Sequence, residues 1–231
     1  GYSWSQSISY ENGNKSLKYR ISKIIERFLL EKADGLIVGS KYLYNKFYKI
    51  NQKIIIVPNG INNKKFKINQ KSDEYDYIFV GRLVYIKGID RILDFVNRNK
   101  NKKFLIIGSN PLKIELKEYE NVTYFPRIDN KRLPLYMNKS KNILNLSRSE
   151  GSPKGLIEGI SCGCFPIVSA IEAHIDLLDD LKYGEIINYP NNNKEKIGNF
   201  SKKYLDEFYL KYSIENCVQR ESEFMKKILS D

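Results

Sequence analysis

Two glutamates eight residues apart, Glu150 and Glu158, frame the segment of this sequence most suited to chemistry. The segment SEGSPKGLIEG, residues 149–159, predicts a loop followed by a helix, with Ser152 as the N-cap and Pro153 at the first helical position. Unpaired N–H groups at a helix N-terminus bind anions. Ionised carboxylates only accept hydrogen bonds, so a pair beside such a helix suits sugar hydroxyls. Taken alone, the pattern fits equally well a surface position for Glu158 and a helix-dipole role for Glu150.

A second segment, FVGRLVYIKGID at residues 79–90, carries two cations five residues apart, Arg82 and Lys87. It predicts a strand, a glycine (Gly81) and a loop that enters a helix. An arginine can bind a diphosphate through two parallel hydrogen bonds and a lysine adds a point charge, so the two could stabilise a departing diphosphate without a metal ion. In isolation these residues could equally be two surface cations.

The amino-acid composition and net charge limit the classes of molecule that this protein is expected to bind. The 231 residues carry 39 Lys plus Arg against 27 Asp plus Glu, a formal net charge of +12, which favours nucleotide phosphates, an acidic membrane face or nucleic acid. No nucleic-acid-binding motif is evident, so nucleic acid is not an expected partner. No apolar run approaches the roughly 20 residues of a membrane span, and no secretory signal precedes the first helix. We therefore expect a soluble, cytoplasmic protein.

Cysteine and histidine are scarce. Three cysteines and the single histidine, His174, are too few for a disulfide framework or a structural zinc site. Cys162 and Cys164 lie at a predicted helix end, where they are expected to pack as small apolar side chains. His174 invites a catalytic interpretation, but a loop imidazole more often makes only local hydrogen bonds. Without an Asp-x-Asp sequence, no metal site is expected.

The order of elements predicts the fold. Short continuous apolar runs, such as KIIIVPNG, YDYIFVGR, KFLIIGSN and KNILNLS, are typical of buried parallel strands, and most are separated by helix-length stretches. This alternation predicts an α/β doubly wound parallel sheet, a Rossmann-like lobe.

Upstream, residues 14–34 predict a helix with an apolar stripe that should face a core, formed by Leu17, Ile21, Ile24, Ile25, Phe28 and Leu29. Its other side, with Arg20, Lys23 and Arg27, is either a solvated face or a contact with anionic lipid.

Together the motifs resemble a known family. The segments IVPNGINNKKF, FVGRLVYIKGIDRIL and FLIIGSNP, and the stretch from VTYFPRID to SEGSPKGLIEGISCGCFPIVSA, are similar to the C-terminal lobe of retaining GT-B glycosyltransferases of family 4, the glycosyl transferases group 1 type. The resemblance spans about residues 35–190. Glu150 and Glu158 match that family's E-x7-E pair.

The resemblance implies roles for these residues. Residues matching Arg82 and Lys87 bind the diphosphate of the donor; the first glutamate, here Glu150, contacts the transferred sugar, and the second, Glu158, the ribose. The FPRID loop, with Arg127 and Ile128, is expected near the base. The remaining expected donor contacts are Gly81, Gly151, Ser152, Pro153, Lys154 and Gly155. We expect Arg82, Lys87 and Glu150 to be the catalytic residues.

The sequence also departs from the family. Where relatives commonly have a Gly-Gly-x-x-Glu-like turn, this chain reads IEAHID, with His174 and Asp176. Too few residues precede position 50 for an acceptor lobe of about 100 residues, so we expect that lobe to be largely missing. The predicted domains are a remnant of it at 1–52, a nucleotide-sugar-binding lobe at 53–200 and C-terminal helices at 201–231, the second of which is capped by Ser213. Either the chain is a fragment, or another polypeptide supplies the acceptor lobe, or the protein acts without it.

Three hypotheses about function follow. The first is a retaining, metal-independent hexosyltransferase that uses a nucleotide-diphosphate sugar such as a UDP-sugar, with no cofactor. Its acceptor would be a glycan or glycolipid in cell-surface polysaccharide synthesis, reached by peripheral contact with the inner membrane face. The second is a non-catalytic nucleotide-sugar-binding module, or half of a two-chain transferase. The third is a basic domain whose charge serves nucleic acid.

Overall fold

A seven-stranded sheet forms the centre of the protein. The structure, a computed structural model, describes residues 5, 8, 9, 13, 15–189, 193–198 and 201–230. The strands of this sheet are β3 (Tyr75–Val80), β4 (Phe104–Ile107), β5 (Val122–Phe125), β6 (Ser140–Asn145), β7 (Phe165–Ser169), β8 (Tyr183–Asn188) and β9 (Asn193–Gly198). Their order in the sheet is β5-β4-β3-β6-β7-β8-β9, and every neighbouring pair is parallel except β8 and β9.

Helices cover both faces of this sheet, and a hydrophobic core lies on each face. The predicted doubly wound α/β lobe is therefore confirmed. Around the sheet lie α3 (Ile89–Arg98), α4 (Leu133–Asn138), α5 (Lys154–Ser161), α6 (Glu172–Leu181), α7 (Lys202–Tyr212) and α8 (Ile214–Ser230), with single 3-10 turns at Tyr85–Lys87 and Leu116–Glu118. Among the described residues, no helix is both long and apolar enough to cross a membrane.

Ahead of the large sheet stand α1 (Leu17–Lys32), β1 (Leu36–Val38), α2 (Lys41–Phe47) and β2 (Ile54–Ile56). β2 pairs in parallel with β1 in a separate two-stranded sheet. The predicted lobe boundary at residue 53 places Ile54–Ile56 with the large sheet, and the structure places this strand in the small one. The segment 57–74 therefore connects the two sheets. The predicted limits at Pro190, Phe200 and residue 231 lie outside the described residues.

The amphipathic helix α1 faces the opposite way from our prediction. Its apolar stripe is exposed, with 72% of Leu17 and 71% of Ile24 accessible to solvent. Ser22 is the buried residue of the helix, and Glu26 and Leu30 flank it on the half-buried side. The expectation that the stripe faces a core is therefore wrong for the described part of the chain. Helical spacing showed which residues share a face, but not which face the other elements cover.

The C-terminal helices bind the connecting segment. Ser213 caps α8 as predicted, because its hydroxyl accepts a hydrogen bond from the Asn216 N–H at 3.2 Å. Beside this cap, the Ile61 N–H donates to the Tyr212 carbonyl at 2.9 Å and the Ile214 N–H donates to the Ile61 carbonyl at 2.8 Å. The connecting segment is therefore fixed to the junction of α7 and α8.

Gly88 allows the loop after β3 to lie against the end of β6. Its φ is +70°, in the left-handed region, and a Cβ atom there would collide with the Leu146 carbonyl. A side chain would therefore both strain the backbone and separate the two loops. Gly163 has a similar φ of +81°, but its nearest neighbours are atoms of the Ile68 side chain.

We predict that Gly88→Ala destabilises the protein by about 3 kcal/mol or more, since strain and a backbone collision act together. Gly163→Ala is the matched control. It should cost about 1–2 kcal/mol, the cost of the left-handed conformation alone. Urea unfolding of the two variants measures the difference; equal losses would contradict the proposed collision.

Candidate functional site

The candidate residues meet where the sheet order reverses. From β3 the chain proceeds to β4 and β5 on one side, and then returns to β6, which pairs with β3 on the other side. Ligands of open α/β sheets bind beyond the carboxyl ends of the strands at such a switch point. Residues 81–88, the Lys87 loop, follow β3, and residues 146–153, the Glu150 loop, follow β6. The fold therefore brings the two predicted motifs together.

An ion pair joins these two loops. Lys87 Nζ lies 2.7 and 2.9 Å from the two carboxylate oxygens of Glu150. The Glu150 side chain is 4% exposed and that of Lys87 is 21% exposed. Glu150 also accepts a hydrogen bond from the Ser147 hydroxyl at 2.8 Å and one from the Asn145 amide at 3.4 Å. The carboxylate is thus held in one orientation at the end of β6.

Arg148 provides a second connection between the loops. Its N–H donates to the Ile86 carbonyl at 2.9 Å, and its guanidinium forms two parallel hydrogen bonds to Asp90, at 2.7 and 2.6 Å. The Arg148 guanidinium lowers the pKa of Asp90 although burial of the carboxyl opposes this shift. Because both connections lie beside Glu150, the two loops behave as one unit.

Helix α5 begins one residue later than predicted. Its N-cap position is Pro153, where no side chain caps the helix. The Ser152 hydroxyl instead accepts a hydrogen bond from the Asn59 N–H at 2.8 Å, and this partner replaces the predicted capping contact. The Ser152 carbonyl accepts from the Lys154 N–H at 2.9 Å, whereas no described residue accepts from the Gly155 N–H. The start of α5 therefore keeps a backbone donor available for an anion.

Glu158 lies on α5 with 6% of its surface exposed. Within the described part of the chain, no group donates a hydrogen bond to its carboxylate, and the nearest cation is Lys154 Nζ at 4.0 Å. Burial raises the pKa of Glu158, while Lys154 and Lys65 act in the opposite direction. The carboxylate thus has unused acceptor capacity, which suits the hydroxyls of a sugar.

The other predicted contact residues are distributed around this centre. Arg82 is exposed, Lys154 is exposed at the start of α5, and Gly81, at the end of β3, packs against the Phe79 ring. Gly155 lies against the Val80 carbonyl, and a Cβ on Gly155 would stand 3.2 Å from that oxygen, so its small size lets α5 approach β3.

The loop after the edge strand β5 carries the two remaining predicted residues. Arg127 is exposed and Ile128 is half-buried there, and the structure gives neither of them a contact with the ion pair.

His174 lies inside the protein. It is fully buried on α6, and its Nδ1 donates to the Ser169 carbonyl at 3.0 Å. Burial lowers the pKa of His174 to about 4, so the imidazole is neutral near pH 7. The predicted loop position of His174 is therefore wrong, because the residue lies on a helix, but its imidazole makes the local hydrogen bond that the sequence favoured.

Cys162 and Cys164 are buried in the core, as their position at a helix end predicts. Burial raises the pKa of both thiols to about 12, so neither is a nucleophile near neutral pH. Among the residues that the structure describes, no three histidine, cysteine or acidic side chains are grouped to hold a metal ion.

Sequence reasoning missed the polar residues behind the two glutamates. Ser147 and Asn145 orient Glu150, and Asn59 bonds to Ser152 across 93 positions of the chain. Ser147 and Asn145 could have been found from their place at the end of the strand before Glu150. No local signal identifies Asn59 as a partner of Ser152.

We predict that Glu150→Ala destabilises the protein by about 3 kcal/mol, because it leaves the partly buried Lys87 ammonium without its carboxylate. The double variant Lys87→Met/Glu150→Gln should be more stable than the sum of its single changes predicts. Urea unfolding measures the loss in Glu150→Ala. The same measurement on the natural protein, Lys87→Met, Glu150→Gln and the double variant gives the coupling energy between the two residues. Glu31→Ala, which breaks the exposed Arg27–Glu31 pair, should cost less than about 0.5 kcal/mol; additive effects at 87 and 150 would contradict the prediction.

The raised pKa of Glu158 predicts a pH dependence of stability. The folded protein binds this proton more readily than the unfolded chain, so the free energy of unfolding falls as pH rises from the ordinary carboxyl pKa through the raised value. Glu158→Gln should therefore be more stable than the natural protein at pH 7, with a difference that shrinks toward pH 4. Urea unfolding between pH 4 and 8 tests this, with the exposed Glu120→Gln as control. A less stable Glu158→Gln at pH 7 would refute it.

Comparison with known proteins agrees with this geometry. The family model described as "Glycosyl transferases group 1" matches residues 60–212. A Klebsiella pneumoniae protein described as "Uncharacterized 41.2 kDa protein in cps region" is 28% identical over 203 residues, covering 81% of this chain and 57% of that protein. The chain thus spans little more than half the length of this relative.

Solved structures show the same fold. Sucrose-phosphate synthase from Thermosynechococcus elongatus matches with a TM-score of 0.75 at 18% identity, over 97% of this chain and 66% of that one. Anabaena Alr3699/HepE in complex with UDP-glucose matches with a TM-score of 0.70 at 11% identity, over 90% and 68% of the two chains. The large sheet and its helices are therefore a Rossmann-like lobe of the GT-B fold. With the family model covering well over half of its residues, the chain belongs to the glycosyl transferases group 1 family.

Proposed function

We propose that this chain is the nucleotide-sugar-binding part of a retaining, metal-independent hexosyltransferase. The observation that carries the proposal is the placement of Lys87, Glu150 and the uncapped start of α5 at the β3–β6 switch point, with Glu158 on the same helix. Cations and a free backbone donor suit a diphosphate, and carboxylates suit hydroxyls. One site thus offers both kinds of partner that a nucleotide-diphosphate sugar needs.

The comparisons support the choice of substrate class. Anabaena Alr3699/HepE was solved with UDP-glucose, and the Klebsiella pneumoniae relative is described as lying in the cps region. By analogy we propose a UDP-sugar donor and an acceptor that is a glycan or glycolipid of cell-surface polysaccharide synthesis. By the same analogy we propose that the reaction takes place in the cytoplasm, at the inner face of the membrane.

In the proposed mechanism, Arg82 and Lys87 stabilise the negative charge that develops on the departing diphosphate. The Gly155 N–H at the start of α5 donates to a phosphate oxygen, with Gly81 and Lys154 beside it. Gly151 and Pro153 are buried in the loop and support its backbone. Glu150 positions the sugar and Glu158 accepts hydrogen bonds from the ribose diol. The bond from the sugar to the diphosphate breaks while the acceptor hydroxyl forms the new bond on the same face, and the proton of that hydroxyl passes to an oxygen of the departing diphosphate. Arg127 and Ile128 lie on the side proposed for the base.

The acceptor must be held by elements beyond the large sheet. The exposed apolar stripe of α1 and the two-stranded sheet β1-β2 offer a surface on which an acceptor lobe would pack. This observation favours one alternative, in which the chain is half of a transferase completed by a second polypeptide or by further sequence. A module that binds a nucleotide sugar without transferring it would use the same donor site.

Calorimetric titration with UDP, GDP and ADP tests the donor site. We expect one nucleotide to bind, with UDP favoured. Arg82→Ala should raise the Kd of that nucleotide by about tenfold or more, since a charge-assisted hydrogen bond is lost. Arg98→Ala, which removes an exposed arginine paired with Asp94, is the matched control and should leave Kd unchanged. Glu158→Ala should weaken binding of UDP more than binding of inorganic diphosphate.

Absence of binding to all three nucleotides at millimolar concentration would contradict the proposal, and salt-dependent binding to DNA or RNA would then favour the nucleic-acid alternative. Binding without transfer, after the acceptor lobe has been supplied, would favour the non-catalytic module.

A further inference from the structure

We propose that Asn59 is a positioning residue of the donor site, which holds the Glu150 loop at Ser152 and so sets the place of the diphosphate. The inference rests on the proposed function, because it takes the Glu150 loop to bind a diphosphate. Asn59 lies outside the two motifs and outside the large sheet, on the segment that connects the two sheets. It touches the loop, and acts on the ligand only through it.

Asn59 makes two hydrogen bonds to one residue. Its backbone N–H donates to the Ser152 hydroxyl at 2.8 Å, and its side-chain amide donates to the Ser152 carbonyl at 2.8 Å. A hydroxyl that accepts one hydrogen bond still has its own proton to donate. The Asn59 N–H therefore fixes the orientation of the Ser152 hydroxyl, while the side-chain amide fixes the backbone from which α5 begins.

The segment that carries Asn59 is itself held firmly. Ile61 exchanges backbone hydrogen bonds with the α7–α8 junction, at 2.9 and 2.8 Å. A Cβ on Gly60 would stand 2.8 Å from the Ile214 Cα, so the segment passes directly against the start of α8. Asn59 therefore transmits a fixed position from the C-terminal helices to the Glu150 loop.

On its other side the loop meets the β1–α2 turn. A Cβ on Gly39 would stand 2.8 Å from the Ser152 Cβ and 3.0 Å from the Gly151 carbonyl oxygen. Behind the loop lies a cavity of about 170 Å³, lined by residues that include Pro58, Gly151, Asp176 and Tyr212. Packing leaves this space beside Gly151 unfilled, so the two hydrogen bonds from Asn59 fix the Ser152 end of the loop, while the Lys87–Glu150 ion pair fixes the Glu150 end.

Two measurements on Asn59→Ala test the inference. The first is amide hydrogen exchange, in which the peptide covering residues 149–157 should exchange about fivefold faster or more, as expected for loss of one hydrogen bond. The second is calorimetric titration, in which the Kd for UDP should rise about fivefold while the Kd for UMP changes less, since the loop faces the diphosphate.

Asn63→Ala is the matched control. Asn63 lies on the same segment and its side-chain amide also donates to a backbone carbonyl at 2.8 Å, but that carbonyl belongs to Tyr209 on α7. It should lower thermal stability by a similar amount and leave both exchange at 149–157 and the ratio of the UDP and UMP Kd values unchanged. This control separates positioning of the loop from a general loss of stability.

The outcomes distinguish this inference from the proposed function. Unchanged exchange at 149–157 in Asn59→Ala, or an equal change in Asn63→Ala, overturns the role of Asn59 whether or not nucleotides bind. Faster exchange with an unchanged UDP Kd also overturns it as a determinant of donor binding. If the natural protein binds none of the nucleotides, the proposed function fails and the diphosphate role of Asn59 fails with it. Exchange then still reports whether Asn59 holds the loop.

Discussion

The ion pair between Lys87 and Glu150 is the interaction on which the rest of the site depends. It connects the loops that follow β3 and β6, at the point in the large sheet where the strand order reverses. A carboxylate as buried as Glu150 needs a counterion, and the lysine 2.7 Å away supplies it. The approach is close because Gly88 lets the first loop lie on the Leu146 carbonyl. Backbone conformation and electrostatics thus fix the same geometry.

The elements ahead of the large sheet contribute to the position of the Glu150 loop. Gly39, in the turn between β1 and α2, packs against the Glu150 loop, and the Lys41 N–H donates to Asp176 on α6 at 3.1 Å. On the far side, Arg220 of α8 donates to the Ile56 carbonyl at 2.6 Å. These contacts join the small sheet and α2 to the Glu150 loop, α6 and α8.

Much of the fold could be predicted because buried parallel strands give continuous apolar runs between helix-length segments. β9 could not, since NKEKIG is a polar edge strand with no such run. The direction in which α1 faces depends on tertiary contacts that periodicity does not contain. In the site, the rule that strand ends meet at one edge brought Lys87 and Glu150 together, but their ion pair and the Asn59–Ser152 contact join residues 63 and 93 positions apart. Long-range partners of this kind leave no local pattern.

Glu150 and Glu158 are chemically identical side chains, but their environments in the structure differ. Glu150 has a lysine and a hydroxyl as close partners, so its charge is already balanced before any ligand arrives. Glu158 has one cation 4.0 Å away and a raised pKa, so its ionised form lacks stabilisation that hydroxyl donors would supply. A diphosphate brought near Lys87 would compete with Glu150 for the ammonium and release part of that carboxylate toward the sugar. The ion pair that joins the two loops would thereby make Glu150 respond to the charge of the proposed donor.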